Sequence, residues 1–194
     1  MWNLARQLRD RRFEEGSVKF DREEMRFDID KDGVPVRCYF KKSKEANKLV
    51  EEFMLLANRT VAESIGKVKR GQTAKTLPYR IHDEPDPQKL AELKGFVAKL
   101  GYKMKSTSTK GASARAMNQL LADCEGKKNQ KVVEMVALRA MMKAKYSVHN
   151  IGHYGLAFDY YTHFTSPIRR YPDTMVHRLL TRYQQGAKNA SKDK

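Results

Sequence analysis

Apolar and charged side chains alternate over residues 17–42, and a helical spacing of apolar residues replaces that alternation from residue 43 onwards. The alternation predicts β-strands, and Asp32–Gly33 between two such runs is a hairpin turn signal. Val18 and Phe20 would share one face of the resulting β-meander. The chain is therefore expected to have an α+β fold, a small antiparallel sheet packed by several α-helices.

Helix signals divide the remainder of the chain. A long helix is predicted from an N-cap at Ser43 to Gly66, and a second helix from an N-cap at Asp86, with Pro87 in its first turn, to Gly101. Other predicted elements are helices over 113–124, 131–145 and 174–184 and a short strand over 153–164. No internal linker marks a second domain, so we expect one domain over 1–187 and a disordered basic tail over 188–194.

The charge of the chain points to a polyanionic partner. There are 39 Lys and Arg residues against 23 Asp and Glu, a formal net charge of +16. Nucleic acid is the first candidate and an anionic membrane surface the second, while a basic surface that only maintains solubility is the alternative. No apolar run approaches the roughly 20 residues that span a bilayer, so we expect no membrane insertion.

Two patterns that suggest metal sites have simpler interpretations. The D-x-D-x-D-G run at 28–33 resembles the start of a calcium loop, but Tyr39 stands where that loop needs a glutamate. We therefore predict a hairpin turn. His149 and His153 are four residues apart in a loop without an intervening acid, and are predicted to be backbone-bonded. The two cysteines lie outside any ligand spacing and are expected to be free thiols in a reducing cytoplasm.

One face of the long helix carries polar groups. Asn47, Glu51, Leu55 and Asn58 follow the spacing of a single face, beside an apolar stripe. That stripe is predicted to contain Leu49, Phe53, Leu56, Val61 and Ile65. A carboxylate and two amides at the edge of a core can hydrogen-bond a nucleobase, and a solvated helix face is the alternative.

The stretch THFTSPIRRYPD, residues 162–173, is the most specific signal in the chain. Its Thr-Ser-Pro run predicts a helix start, where free backbone N–H groups favour an anion. Arg169 and Arg170 follow within the first turn, and Pro172 is expected to close that turn before the last helix. Because guanidinium groups match phosphate oxygens in pairs, the motif predicts a phosphate site. The alternative is a surface ion pair with Asp159 or Asp173.

The segment HYGLAFDYYTHFTSPIRRYPDTMVHRLL resembles the signature of the RNB family, the catalytic domain of ribonuclease II and ribonuclease R, and the ribonuclease R form is the closer match. EANKLVEEFMLLANRTVAE is similar to the long helix of that family. LARQLRDRRFEEGSVKFD and YRIHDEPDPQKLAELKGF match further segments in the same order. The resemblance covers the chain to about residue 187 and implies a partial RNB domain.

The resemblance implies a hydrolytic exoribonuclease. Such enzymes degrade single-stranded RNA from its 3′ end to nucleoside 5′-monophosphates, with Mg²⁺ held by a cluster of aspartates. Arg169 matches the family arginine that stabilises the phosphate. Phe20 matches a ring that stacks on a base, and Glu51 matches a glutamate that binds one near the 3′ end. Asn58 and Arg170 are further predicted RNA contacts.

One departure from the family pattern concerns the metal. The aspartate run of the form D-x-x-D-x-x-D-x-D-D does not occur in this chain, so we expect no metal ligands in it. The flanking oligonucleotide-binding barrels of the family are also expected in the parent protein and not here. The chain alone is then expected to be inactive, and a non-catalytic basic module that binds single-stranded RNA is the alternative function. A DNA- or ribosome-associated architectural protein is suggested by charge alone.

Replacing Phe20 with alanine separates these functions. Loss of a stacking ring should weaken the binding of single-stranded RNA by about 1–3 kcal/mol per base. A binder that acts only through charge would keep its affinity, because its contacts are to phosphates. Fluorescence anisotropy with a labelled single-stranded RNA measures the difference, and magnesium-dependent shortening of the same RNA separates the enzyme from the binding module.

Overall fold

The computed structural model describes residues 1–20, 24–68, 71–105 and 112–189, which contain six α-helices and two antiparallel sheets of two strands each. The helices are α1 (Trp2–Glu14), α2 (Glu45–Gly66), α3 (Pro87–Lys99), α4 (Ala112–Cys124), α5 (Gln130–Ala140) and α6 (Tyr171–Gln184). The strands are β1 (Glu24–Ile29), β2 (Pro35–Lys41), β3 (Tyr79–Ile81) and β4 (Lys145–Ser147). The prediction of an α+β fold with small antiparallel sheets and several helices is confirmed.

Helices α3, α4 and α5 pack around one apolar core. Val97, Met117 and Val133, one from each helix, are fully buried in it. Val18 belongs to the same core, and Phe20 is a partly buried ring packed against it. This helical core therefore holds Val18 and Phe20, which follow α1 in the chain.

The two ends of α3 follow the predicted signals. The Asp86 side chain accepts a hydrogen bond from the Gln88 amide at 2.8 Å, and Pro87 occupies the first turn. Gly101 has a φ of +85° directly after the C-cap residue Leu100, a left-handed conformation that favours glycine.

A second core lies between α2, β3 and α6. Ala62 and Ile65 of α2, Tyr79 of β3 and Val176 of α6 are buried together. Gly66 ends α2 as predicted, and a side chain at this position would overlap the Tyr79 hydroxyl. The close approach of α2 to β3 thus depends on glycine at the helix end.

The predicted meander is only partly correct. Strands β1 and β2 form a hairpin in which Met25 pairs with Phe40 and Phe27 with Cys38. The Asp30 carboxylate accepts hydrogen bonds from the backbone at the turn, which confirms a hairpin turn at 28–33. However, residues 17–20 are not a strand, because Asn118 takes up the hydrogen bonds of the Ser17 carbonyl and the Lys19 amide. Residues 21–23 lie outside the described residues.

Several predicted helix boundaries are wrong. The N-cap of α2 is Lys44 instead of Ser43, and the Asn47 side chain accepts a hydrogen bond from the Lys44 amide. Helix α5 ends at Ala140, and residues 145–147 pair with β3 as strand β4. Helix α6 begins at Tyr171 with Pro172 inside its first turn, where a proline needs no N–H partner.

The predicted strand over 153–164 is also wrong. Tyr154–Leu156 form a 3₁₀ turn. The β-bridges of this segment are isolated ones, at His153 before the turn and at Phe158 and Thr162 after it. Ala157 has a φ of +54°, which turns the chain sharply after the 3₁₀ segment. The segment is therefore a loop.

The predicted apolar stripe of α2 is displaced around the helix. The buried residues are Glu52, Leu55, Asn58, Ala62, Ile65 and Gly66. Of the predicted stripe, Ile65 is buried as expected, whereas Leu56 is exposed. Two members of the predicted polar face, Leu55 and Asn58, therefore lie on the buried face.

Two further predictions concern the chain ends and cysteines. Cys38 and Cys124 are free thiols, as predicted. Asn189, in the predicted tail, accepts a hydrogen bond from the Thr76 amide at 3.2 Å, and residues 190–194 lie outside the described residues. None of the described helices has the length and apolarity that a membrane crossing requires.

A buried ion pair joins α1 to α2. The Arg12 guanidinium binds both carboxylate oxygens of Glu52, and the two side chains are 6% and 3% exposed. Arg12 also donates to Ser17 Oγ at 2.8 Å, and Ser17 donates in turn to the Gly155 carbonyl at 3.0 Å. The network therefore links two helices and the loop at 153–157.

Replacing Glu52 with glutamine should lower the free energy of unfolding by about 3 kcal/mol, because it leaves the buried Arg12 charge with only the half-exposed Glu51 carboxylate, 3.8 Å away, as a counter-ion. The matched control is Glu51→Gln, on the neighbouring residue, whose side chain is 44% exposed. Its cost should stay below about 1 kcal/mol. Urea unfolding followed by circular dichroism measures both, and equal losses for the two variants would contradict the prediction.

Candidate nucleic-acid interface

A short turn presents the two arginines of the specific motif. The Ser166 carbonyl accepts hydrogen bonds from the amides of Arg169 at 3.3 Å and Arg170 at 3.1 Å. Thr174, in the first turn of α6, donates its hydroxyl to the Pro167 carbonyl at 3.0 Å. We call residues 166–170 the arginine turn. It is one closed turn fastened to the start of α6.

The two arginines have different environments. The Arg170 side chain is 20% exposed and donates to Asp173 Oδ1 at 2.8 Å, and Asp173 is fully buried. An ion pair with Asp173 therefore forms at Arg170, but the carboxylate is buried, so it is not the surface ion pair of the predicted alternative. Arg169 is exposed, and its guanidinium has no ion-pair partner among the described residues. Of the two, Arg169 is the one whose charge is available to an anion.

Asp173 also changes the predicted anion site at the turn. Its Oδ1 accepts a hydrogen bond from the Ser166 amide at 2.8 Å, so this N–H is already bound to a carboxylate. The backbone N–H groups expected to be free at this helix start are therefore used within the protein, since the Thr165 amide donates to Asn58 Oδ1, the Ser166 amide donates to Asp173, and Pro167 has no N–H. An anion at this turn would be held by side-chain charge more than by backbone amides.

Asn58 is placed where it organises the turn. The side chain is fully buried, and its Oδ1 accepts from the amides of Phe164 at 2.9 Å and Thr165 at 3.2 Å. Its Nδ2 donates to the Tyr161 hydroxyl at 3.1 Å. The predicted direct contact of Asn58 with RNA stays a prediction, whereas its observed contacts hold the segment that enters the arginine turn.

Glu51 lies two helical turns before Asn58, about 10 Å along α2. Its carboxylate is 3.4 Å from Arg9 Nη1 and 3.8 Å from Arg12 Nη2. Since the side chain is 44% exposed, one side of the carboxylate remains accessible to solvent. Glu51 and the arginine turn are thus positioned from the same helix.

Phe20 is supported from a different part of the fold. Its ring packs against the α3–α5 core, next to the Lys19 amide that Asn118 holds at 2.9 Å. The ring is partly buried, so replacing it removes core packing as well as an aromatic face. Any binding assay of a Phe20 variant therefore needs a thermal melt beside it.

The sequence reasoning missed an aromatic group beside the arginine turn. Tyr146 of β4 lies with its hydroxyl 2.6 Å from His163 Nδ1, and the Arg80 guanidinium lies 4.7 Å from the Tyr146 ring centroid. The His163 ring stands edge-on to Tyr161, with centroids 5.7 Å apart. These residues come from 80, 146 and 161–163, so no short sequence pattern joins them.

Burial and charge keep two histidines of this region neutral. Desolvation lowers the pKa of His163 to about 4, and Arg170 adds to the effect. Desolvation lowers the pKa of His153 to about 3, assisted by the neighbouring His82. His153 Nδ1 accepts a hydrogen bond from the Leu156 amide at 3.2 Å, which confirms that it is a backbone-bonded loop histidine.

The family resemblance implies a magnesium site, and Mg²⁺ needs oxygen ligands in near-octahedral geometry. Over the ranges that the structure describes, no group of three or more His, Cys, Asp or Glu side chains is arranged to hold a metal ion. The described residues therefore do not fit a magnesium site, and none of them is assigned a role as a metal ligand.

Comparisons with known proteins agree on one family. A family model described as the RNB domain matches residues 1–186. Ribonuclease R of Aquifex aeolicus (strain VF5) is 39% identical over 186 residues, which are 96% of this chain and 25% of that protein. The chain thus spans about a quarter of the length of such curated relatives.

Solved structures give the same result. "Mycoplasma genitalium RNase R in complex with ribose methylated single-stranded RNA" has a TM-score of 0.81 and 31% identity, covering 92% of this chain and 27% of that chain. Yeast Ssd1, described as a pseudonuclease, has a TM-score of 0.57 and 28% identity, covering 72% of this chain and 17% of that one.

The lowered histidine pKa values predict how stability depends on pH. Between about pH 6.5 and pH 4, the unfolded chain binds protons that folded His153 and His163 do not, so stability is complete above pH 6.5 and falls as pH decreases. The slope is at most about 1.4 kcal/mol per pH unit for each histidine.

Histidine Cε1 proton shifts, followed by NMR together with urea unfolding at pH 7.5, 6 and 5, test this prediction. A His153 titration midpoint near 6.5 would contradict the placement of this ring.

Proposed function

Because the chain belongs to the RNB domain family, we propose that it binds single-stranded RNA as part of an exoribonuclease that hydrolyses RNA from its 3′ end to nucleoside 5′-monophosphates. Several of its curated relatives are ribonucleases R, and one similar structure is described as a complex with single-stranded RNA. Since the chain spans about a quarter of those relatives, the hydrolysis belongs to the longer protein in this proposal.

The observation that supports the proposal most is the exposed Arg169 on a braced turn. Asn58 holds the segment that enters the turn, and Asp173 holds both the Ser166 amide and Arg170. Arg169 is thereby offered to solvent from a rigid support, without an acidic partner among the described residues. A guanidinium presented in this way suits a phosphate of the RNA backbone.

Glu51 and Phe20 would contact the bases. The exposed side of Glu51 can accept a hydrogen bond from a base edge, and Arg9 keeps the carboxylate oriented. The Phe20 ring would stack on a base without regard to its identity. Arg170 would act mainly through its position, because its charge is already balanced by Asp173.

Magnesium ligands are placed outside the described residues in this proposal. The ion would supply activation of water and stabilisation of charge on the phosphate, which are its usual contributions to phosphoryl transfer. Two free thiols are compatible with a reducing compartment, and we place the protein in the cytoplasm.

A second candidate function is a binding module without chemistry. The observation that favours it is the absence of a metal-ligand cluster in the ranges that the structure describes. The similar structure of Ssd1 is described as that of a pseudonuclease, so this fold also occurs in a protein named for lacking nuclease function. The same chain would then bind RNA and leave it intact.

Arg169→Ala is the variant that tests the proposal. Loss of one charge-assisted phosphate contact should weaken single-stranded RNA binding about tenfold. The negative slope of log K against log salt should become shallower by about 0.7. Unfolding should be unchanged, because the side chain is exposed. Anisotropy at several salt concentrations and a thermal melt give both results.

Arg170→Ala is the matched control, one residue away. It removes the counter-ion of the buried Asp173 and should therefore lower the melting temperature, which Arg169→Ala leaves unchanged. Equal RNA affinity for wild type and Arg169→Ala would contradict the proposal. Incubation of labelled RNA with the longer protein, with and without Mg²⁺, then separates the two functions: shortening from the 3′ end indicates the enzyme, and binding alone indicates the module.

A further inference from the structure

We propose that Tyr146, together with Arg80 and His163, forms a nucleotide subsite beside the arginine turn, in which the Tyr146 ring stacks on a base of the single-stranded RNA. The inference rests on the proposed function, since it presumes that RNA reaches the arginine turn. It adds a stacking residue that lies far in sequence from Phe20 and Glu51.

Tyr146 is held at both its edge and its face. The hydroxyl lies 2.6 Å from His163 Nδ1, and the Arg80 guanidinium lies 4.7 Å from the ring centroid. Even so, 38% of the residue remains exposed. A ring that is already fixed loses little conformational freedom when a ligand stacks on it, which favours binding.

The backbone under this group is also fixed. Arg80 pairs with Tyr146 across β3 and β4, and the Arg80 amide donates to the Tyr161 carbonyl at 2.9 Å. The Tyr161 hydroxyl in turn accepts a hydrogen bond from Asn58. The Asn58 side chain therefore holds the segment that enters the arginine turn and, through Tyr161, also supports the strand that carries Arg80.

The group and the arginine turn form one surface. His163 contacts Tyr146, and it lies close enough to Arg169, Arg170 and Arg80 that all three charges act on its imidazole. In this proposal, a phosphate at Arg169 and a base on Tyr146 belong to one bound strand. Arginine at the face of a tyrosine and beside exposed charge is the combination that single-strand binding surfaces use.

If the contact between Arg80 and Tyr146 only stabilised the sheet, the Tyr146 hydroxyl would not need a partner of its own. An arginine on a tyrosine is common on sheets, and the hairpin offers an example in which Arg37 lies 6.0 Å from the Tyr39 centroid. Tyr39 has the same 38% exposure as Tyr146, but its hydroxyl has no hydrogen-bond partner among the described residues. Tyr146 differs in being fixed at its hydroxyl by His163, which lies in the segment that enters the arginine turn.

The test compares two oligoribonucleotides of about ten residues, within the usual site size of single-strand binders. One carries 2-aminopurine bases and the other is abasic with the same phosphates. Tyr146→Ala should weaken binding of the base-containing strand by about 5- to 100-fold, and leave abasic binding within about twofold. Tyr39→Ala should change neither affinity, and Arg169→Ala should weaken both.

Tyr146→Leu provides the second variant, because it keeps apolar volume under Arg80 while removing the aromatic face. Circular dichroism and a thermal melt establish that each variant is folded. Loss of the base-dependent part of the affinity in either folded variant supports the subsite. Wild-type affinity for both strands in folded Tyr146→Leu, with Arg169→Ala still impaired, overturns the subsite alone, whereas failure of the wild-type chain to bind either strand overturns the proposed function.

Discussion

The buried amide of Asn58 is the contact on which the candidate site depends. It satisfies two backbone N–H groups of the segment before the arginine turn and binds the Tyr161 hydroxyl. Because the residue is fully buried, each of these bonds replaces one that water cannot supply. The long helix α2 thereby fixes the loop on one side, while Asp173 of α6 fixes it on the other. The arginine turn is rigid because two helices hold it.

Local signals in the sequence predicted the elements that local chemistry decides. Asp86 caps α3 and Gly101 closes it, and the aspartate run at 28–33 is a hairpin turn, because each of these features is set within a few residues. The arginine motif could likewise be found, since two arginines between prolines are unusual as a solvated run. The sequence could not predict which of the two arginines stays exposed, because that depends on the buried Asp173 pairing with Arg170.

The sequence-based predictions were wrong where residues distant in sequence supply the hydrogen bonds of a backbone segment or decide which face of a helix is buried. Residues 17–20 read as a strand, yet a side chain 101 residues away, Asn118, takes the hydrogen bond of the Ser17 carbonyl. Asn58 read as a polar face, yet it lies three residues after Leu55 and four before Ala62, which are both buried. A polar residue at that spacing between buried positions is itself a sign of an internal hydrogen-bonding role.

The charge of the chain is less informative than the way its charges are paired. Arg9, Arg12 and Arg170 are committed to carboxylates, so these three arginines are less available to an anionic partner, while the formal excess of +16 is unchanged by the pairing. Glu51 shares its arginines with Glu52, but Glu52 carries the buried part of the pairing. Because an exposed ion pair contributes little, Glu51 can turn toward a base at a cost of about 1 kcal/mol or less. Glu52 therefore carries the structural part of the pairing, and the exposed ion pair of Glu51 contributes little to it.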